Sequence, residues 1–161
     1  KDAIIDVVRD AFSTAGRDGR EEIDIVLDTW TLDAAVPGLD LVAVEDGQIV
    51  GHVLGARGDL GGRPIVGVAP LSVAPHHQHS GVGSALMVEL LGRAEVIGEP
   101  LVVLLGLPDY YGRFGFEAAG PLGVDYPPVG PGNPHFLVRK LATYDPLFRG
   151  EFRYCWELAS G

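Results

Sequence analysis

The sequence predicts an α+β fold in which a mixed sheet, antiparallel first and parallel at its centre, is flanked by helices. Two segments with helical periodicity open the chain, and strand-length apolar segments separated by tight-turn signals follow them. A strand, a long helix and another strand then succeed one another between residues 65 and 105. That order implies a right-handed crossover and therefore one parallel pair of strands.

The two opening helices are predicted from apolar residues at helical spacing, with glycines 16 and 19 separating them. The two apolar sets are Ile4, Val8, Ala11 and Phe12, and then Ile23, Val26, Leu27 and Trp30.

The antiparallel part of the sheet is predicted from three strands joined by tight turns. Apolar segments at 41–44 and 49–54 flank an Asp-Gly pair at 46–47, which is a strong hairpin signal. A Gly-Gly turn at 61–62 leads into a strand at about 65–73. Three strands in this arrangement form a meander.

The second half of the chain is predicted to complete the sheet. No repeat, linker or second domain is visible, so residues 1–161 are expected to form a single domain. The predicted elements are a helix at 81–97, a strand at 101–105, a short helix from Pro108 to Gly115, a loop at 120–134, and strands at 135–138 and 152–156.

Composition excludes some classes of partner. The net charge is −10 and the cations do not cluster, so no nucleic-acid partner is expected, because phosphate binding draws on concentrated positive charge. No apolar run has the length that a bilayer requires, so no membrane partner is expected either. A lone Cys155 excludes an internal disulfide and fits a reducing cytosol. A cytoplasmic protein is therefore expected, and a homodimer is compatible with the sequence.

The segment from Leu71 to Ser84 carries the most specific chemical signal. A strand ends at Val73, a short loop follows, and a helix opens with Gly81 and Gly83. The free N–H groups and the positive dipole end of a helix start form an anion site. Glycines let a phosphate approach the backbone without meeting a Cβ.

Three phosphate-binding patterns compete for this loop. A Walker loop needs Gly-Lys-Ser/Thr, and no Lys lies nearby. A Rossmann fingerprint needs glycines directly after its strand and a third glycine where Leu86 stands. The third pattern, Gln/Arg-x-x-Gly-x-Gly/Ala, binds the pyrophosphate of coenzyme A. The residues Gln78-His79-Ser80-Gly81-Val82-Gly83 match it at every position.

This segment resembles motif A of the GNAT superfamily of N-acetyltransferases. Val73-x-Pro75 before it and Ser84-Ala85-Leu86 after it also match, and the order of elements agrees over about 41–116. The resemblance implies a GNAT-like fold whose parallel pair is splayed at the centre. It also implies a bacterial enzyme that moves an acetyl group from acetyl-CoA, its co-substrate, to an amine. The first strand of the family is not evident and would precede Lys1.

The resemblance further implies which residues bind the cofactor. Backbone groups at the strand end would pair with the pantetheine arm and polarise the thioester carbonyl, while the loop would hold the pyrophosphate. These residues are Leu71, Ser72, Val73, Gln78, His79, Ser80, Gly81, Val82, Gly83 and Ser84.

A second segment, Tyr111-Gly-Arg-Phe-Gly-Phe, resembles motif B of the same superfamily, Tyr-x-x-x-Gly-Phe. The resemblance implies that Tyr111 lies beside the thioester sulfur and protonates the leaving thiolate, a role that suits a phenol. Tyr110 takes that role if the register slips by one residue. Gly106-Leu-Pro stands where the family commonly has an Asn, a variant typical of a bacterial branch whose substrates are mostly undefined.

The sequence does not identify a general base. Asp109, His52 and His135 are candidates by position, and water is the alternative. An acidic run at 21–24, made of Glu21, Glu22 and Asp24, fits a helix N-terminus favoured by its dipole, and is also a candidate wall of an amine-binding cleft.

Metal binding is not expected. His76, His77 and His79 lie within one loop, but no carboxylate or Cys adjoins them to complete a zinc site. Direct transfer needs no covalent enzyme intermediate, so Cys155 is expected to be a core thiol.

Two classes of function remain at this stage. The first is an acetyltransferase, which Tyr111 favours. The second is a module of the same fold that binds acyl-CoA and regulates a partner without turnover. The acceptor, a small-molecule or peptide amine, and the preferred acyl group stay open. The loop at 120–134 is expected to border the acceptor pocket, because long loops in compact domains are often functional.

Overall fold

The computed structural model describes residues 1–14 and 16–160. Both opening helices are present. Between them, where the sequence predicts a break, two strands of two residues each pair antiparallel. The apolar stripes of the helices bury Val8 and Val26 against Leu54 of the sheet, which explains their spacing. The elements are α1 (Asp2–Phe12), β1 (Ser13–Thr14), β2 (Arg17–Asp18) and α2 (Arg20–Thr31).

Three long antiparallel strands follow, namely β3 (Ala35–Glu45), β4 (Gln48–Leu60) and β5 (Arg63–Val73). Both predicted turns are confirmed. The two residues of each turn have positive φ, the backbone conformation that a two-residue hairpin with right-handed twist requires. Strand β3 begins earlier than predicted. Its pairing with β4 shifts register between Ala35 and Asp40, and beyond that shift Ala35 still pairs with Ala56.

The parallel pair is formed by β5 and β6 (Leu101–Leu105), connected through α3 (Val82–Val96). The two strands pair only around Val66 and Gly67, opposite Val102 and Val103. β5 then carries one extra residue relative to β4, a bulge that bends the strand. From Val68 onward the edge of β5 that faces β6 offers N–H and C=O groups with no strand partner among the described residues. The predicted splay is therefore confirmed.

The rest of the chain closes the sheet on both sides. Strand β9 (Phe136–Lys140) extends the sheet beyond β6. Strand β10 (Gly150–Tyr154) pairs with the end of β4 and, in parallel, with β8 (Val124–Asp125). The order of strands is β7-β9-β6-β5-β4-β10-β8, and β3 also pairs with β4. The elements are α4 (Pro108–Gly112), β7 (Glu117–Ala118), β8 (Val124–Asp125), β9 (Phe136–Lys140), β10 (Gly150–Tyr154) and α5 (Cys155–Ala159).

Two predictions in this half are wrong in part. Residues 155 and 156 begin a helix rather than ending a strand, because the carboxylate of Glu157 accepts the Tyr154 N–H at 2.7 Å and favours a helix start there. The segment 120–134 contains β8 and two short 3₁₀ turns rather than a plain loop. Its Tyr126 packs against Phe136 and Phe152, which anchors the segment to the core.

The core lies on both faces of the sheet. The apolar side of α3 packs on one face, while α1 and α2 cover part of the other. None of the helices in the part of the chain that the structure describes combines the length and apolarity needed to cross a bilayer.

Candidate active site

A cavity of about 500 Å³, here called the first cavity, opens where β5 ends and α3 begins. Phe12 of α1 and Tyr110 and Arg113 from the region of α4 form its other walls. Most of the predicted cofactor-binding residues line it, namely Leu71, Val73, Gln78, His79, Gly81, Gly83 and Ser84. The structure thus brings the two ends of motif A together around one space.

The start of α3 is built to receive an anion. No side chain caps the helix, and Gly81 occupies its N-cap with φ of +91°, a conformation that favours glycine. The backbone N–H groups of residues 81–84 have no hydrogen-bond acceptor among the described residues. Unpaired N–H groups and the positive end of the helix dipole attract negative charge together. These donors fit a pyrophosphate.

Gly83 leaves the space that such a ligand needs. A Cβ at this position would lie 2.9 Å from the hydroxyl oxygen of Tyr110 and 3.5 Å from a methyl group of Val73. Any side chain here would therefore fill the floor of the first cavity.

Gln78 also has a structural contact, and three predicted cofactor residues, Ser72, Ser80 and Val82, do not line the first cavity. The Gln78 amide donates to the Val73 carbonyl at 3.1 Å and ties the loop to the strand end. The hydroxyl of Ser80 donates to the carbonyl of His77. Val82 packs on the core beneath α3. Ser72 is 1% exposed, and its hydroxyl has no partner among the described residues.

Tyr110 and Tyr111 line different cavities. Tyr110 faces the first cavity, whereas Tyr111 lines a second cavity of about 500 Å³. A Cβ on Gly106 would lie 2.3 Å from the Tyr111 ring, so the ring rests directly on the Gly106 backbone. This contact gives a physical reason for glycine at position 106. Burial, and to a lesser degree the neighbouring Tyr110, raises the pKa of Tyr111 to about 12.

The second cavity lies between α2, the gap between β5 and β6, and the C-terminal segment. Phe12 and Leu71 line both cavities, so the two spaces meet at the free edge of β5. One wall is acidic and another is aromatic. The acidic residues are Glu21, Glu22, Asp24 and Asp28, and the aromatic ones include Tyr111, Tyr126, Tyr154 and Trp156.

Three of the four carboxylates in the acidic wall have no basic side chain beside them among the described residues. One carboxylate oxygen of Glu22 accepts from Arg17 at 2.7 Å, while the other is buried with no partner in the described part of the chain. Glu21, Asp24 and Asp28 have no ion pair with the described cations. Clefts lined by one sign of charge concentrate ligands of the opposite sign. The second cavity therefore favours a cation.

The sequence candidates for a general base lie outside both cavities. His52 is fully buried, and Asp109 and His135 are exposed and line neither space. The His135 ring instead lies 3.2 Å from the Gly106 carbonyl. The carboxylates that line the second cavity among the described residues all belong to α2. The spacing of residues 21, 24 and 28, which places them on one helix face, is the signal that identifies this wall.

His52, which is fully buried, and Asp40, which is partly exposed, belong to a hydrogen-bond network that joins α2 to the sheet. Its Nε2 lies 2.6 Å from one Asp40 oxygen, and the Trp30 indole donates to the other at 2.9 Å. Burial raises the pKa of Asp40, but the hydrogen bonds from His52 and Trp30 outweigh burial and leave the pKa below its ordinary value. This network therefore links α2 to the sheet through Trp30.

The three loop histidines point in different directions. His77 pairs with Glu45 at 3.0 Å, His79 lines the first cavity, and His76 is exposed. No group of three or more metal-ligating side chains occurs within residues 1–14 and 16–160. Cys155 is half-buried beside Thr29, and burial raises the pKa of its thiol.

Comparisons with known proteins agree with this geometry. The profile of the acetyltransferase (GNAT) domain family matches residues 1–119. The uncharacterized N-acetyltransferase YjhQ of Escherichia coli is 36% identical over 112 residues, which cover 66% of this chain and 62% of YjhQ. The uncharacterized N-acetyltransferase YhbS of the same organism is 40% identical over 84 residues, half of each chain. The chain thus spans less than two thirds of the length of these curated relatives.

Solved structures extend the similarity to nearly the whole chain. The crystal structure of YhbS from Escherichia coli in complex with CoA superposes with a TM-score of 0.85 at 30% identity, covering 98% of this chain and 86% of that one. A GNAT family acetyltransferase from Brucella melitensis in complex with acetyl-CoA gives a TM-score of 0.78 at 30% identity, covering 98% and 92%.

Proposed function

The chain belongs to the GNAT family of acetyltransferases, and on that premise we propose that it transfers an acetyl group from acetyl-CoA directly to an amine. One observation carries the proposal: an anion-binding helix start and an acidic cavity meet at Phe12 and Leu71. The similar proteins YhbS and the Brucella melitensis acetyltransferase are solved with CoA and acetyl-CoA, which supports the same donor here.

The first cavity is the donor side. The N–H groups of residues 81–84 receive the pyrophosphate, and the pantetheine arm adds to the free edge of β5 beyond Val68. Leu71 then lies beside the thioester, at the junction of the two cavities. A backbone N–H on this edge donates to the thioester oxygen and stabilises the negative charge that develops on it during attack.

The second cavity is the acceptor side. Its carboxylates attract a protonated amine, which must lose one proton before its nitrogen can attack the thioester carbon and a second proton, to water or to the departing thiolate, as the amide forms. Glu22 is the proposed base, acting directly or through one water, because one of its oxygens is buried without a partner. The aromatic wall excludes water and fits the apolar part of the acceptor.

Tyr111 is the proposed donor to the leaving sulfur. With a pKa of about 12 its phenol keeps its proton at neutral pH and can offer it to the thiolate. A simple thiol has a pKa of about 8.5, so complete transfer from such a phenol is uphill. Tyr111 therefore acts mainly by donating a hydrogen bond that stabilises the thiolate as it departs.

The test is release of free thiol from acetyl-CoA across a library of amines, with calorimetry of CoA binding alongside. We expect turnover with cationic amines and none with the corresponding alcohols. CoA binding without turnover on any amine would support the regulatory alternative. Absence of CoA binding would overturn the donor assignment itself.

A further inference from the structure

Arg113 lies at the boundary between the first cavity and a third cavity. The third cavity, of about 780 Å³, lies between α3 and β9 and is lined by Arg113, Arg139 and Lys140. Because Arg113 also lines the first cavity, one surface runs from the helix start of α3 past Arg113 into the third cavity.

The guanidinium of Arg113 is held in place but keeps donors free. Its Nε donates to the Tyr110 carbonyl at 3.1 Å, and the group lies 4.2 Å from the centre of the Tyr110 ring. No carboxylate of the described residues lies within ion-pair distance of Arg113. The two terminal nitrogens are available to an anion.

The third cavity is also cationic. Arg139 donates to the Phe114 carbonyl at 2.8 Å, a bond that leaves its charge unneutralised. Lys140 lies 3.5 Å from Glu117. Glu95, the one carboxylate among the described lining residues, accepts the Ala142 N–H at 2.9 Å. This surface of an otherwise acidic protein therefore attracts a phosphate.

Resting on the proposed function, we propose that Arg113 binds the 3′-phosphate of CoA and makes the protein discriminate CoA from dephospho-CoA. The helix start already supplies donors for the pyrophosphate, and the pantetheine arm runs from there toward Leu71. The adenosine end of CoA must therefore extend from the pyrophosphate away from Leu71. The surface that continues from the start of α3 past Arg113 is cationic and can receive it. A guanidinium presents two parallel N–H groups that match a phosphate, which a backbone amide does not.

The experiment compares two ligands on the same protein by calorimetry, CoA and dephospho-CoA, which differ only in the 3′-phosphate. Wild-type protein should bind CoA about tenfold more tightly than dephospho-CoA, because one charge-assisted pair of hydrogen bonds supplies a preference of that size. Arg113→Gln keeps most of the stem over Tyr110 but removes the charge. It should weaken CoA to the level of dephospho-CoA and leave dephospho-CoA unchanged. Arg93→Gln, on the exposed side of α3, is the control and should alter neither.

The outcomes separate this inference from the proposed function. Equal weakening of both ligands by Arg113→Gln would overturn it, because the arginine would then act on the pyrophosphate or on the fold. An unchanged preference for CoA in Arg113→Gln, or no preference in the wild type, would overturn it as well. If the wild-type protein bound neither ligand, that result would instead contradict the proposed function, on which the inference about Arg113 rests.

Discussion

The rings of Tyr110 and Tyr111 meet edge to face, with centroids 4.9 Å apart and planes at 87°. Neighbouring residues on a helix point about 100° apart, so the two phenols face different cavities. Tyr110 closes the first cavity over Gly83, while Tyr111 rests on Gly106 at the edge of the second. Two residues of the same type thus have separable roles.

Tyr111→Phe should lower turnover by about a hundredfold, provided that thiolate departure limits the rate. The substitution keeps the ring and its packing on Gly106, so the melting temperature and CoA affinity should change little. Tyr110→Phe should remain near wild type in turnover. Steady-state kinetics of both variants on one accepted amine make the comparison. Full activity in Tyr111→Phe with collapse in Tyr110→Phe would reverse the assignment.

The pH dependence of turnover should carry no basic limb from Tyr111. A donor must be protonated to act, and burial raises the pKa of this phenol to about 12, so it loses its proton only as the pH rises toward that value. Profiles of the wild type and Tyr111→Phe should therefore have the same shape up to about pH 10 and differ in height. A descending limb at lower pH that vanishes in Tyr111→Phe would contradict this account.

Glu22→Gln should reduce kcat/KM for a cationic amine by about tenfold to a hundredfold, because it removes the proposed base and one charge of the acidic wall. CoA affinity should stay the same, since Glu22 lines the second cavity and not the first. Glu89→Gln on the exposed side of α3 is the matched control and should have no effect. Unchanged kinetics in a folded Glu22→Gln variant would exclude Glu22 as the base.

Gly83→Val should weaken CoA binding by about tenfold or more, because the new side chain occupies the space proposed for the pyrophosphate. The side chain would also meet the Tyr110 hydroxyl, so the same substitution is made in a Tyr110→Phe background. Calorimetry should show the loss in both backgrounds, with thermal melts to confirm folding. Recovery of affinity in the double variant would assign the loss to the clash with Tyr110 instead.

Asp40→Ala should destabilise the fold by about 1–3 kcal/mol, because it leaves the fully buried His52 without its partner. The pKa of Asp40 is lowered in the folded protein, so this stabilisation is fully present above the ordinary carboxyl pKa and is lost as the pH falls from there through the lowered pKa. Denaturant unfolding should show a gap to wild type at pH 7 that narrows in acid. Asp10→Ala, at an exposed site on α1, should cost less than about 0.5 kcal/mol. A constant gap at all pH values would show that the Asp40 carboxylate does not stabilise the fold through these hydrogen bonds.

The sequence predicts those parts of the fold and of the site that are set by residues adjacent in the chain. The turns at 46–47 and 61–62 need positive φ, which Asp and Gly supply, and the motif around Gly81 encodes its own helix start. The carboxylates of α2 are harder to assign, because their reach into the second cavity depends on how the helix packs on the sheet. The bulge in β5 is likewise set by its pairing with β4 and has no local sequence signal. Arg113 stands beside the motif-B tyrosine, yet only the fold brings it to the start of α3.

The two cavities draw on different parts of the chain. Most of the first cavity comes from residues 71–113, one nearly continuous stretch. The acidic wall of the second, and its aromatic wall apart from Tyr111, come from residues 12–28 and 126–156, on either side of that stretch, and the latter part lies beyond the family profile that ends at 119. If the proposed roles of the two cavities are correct, donor chemistry and acceptor choice are encoded mostly by different segments. Chimeras that exchange only the flanking segments between homologues should swap acceptor range while keeping one shared acetyl donor.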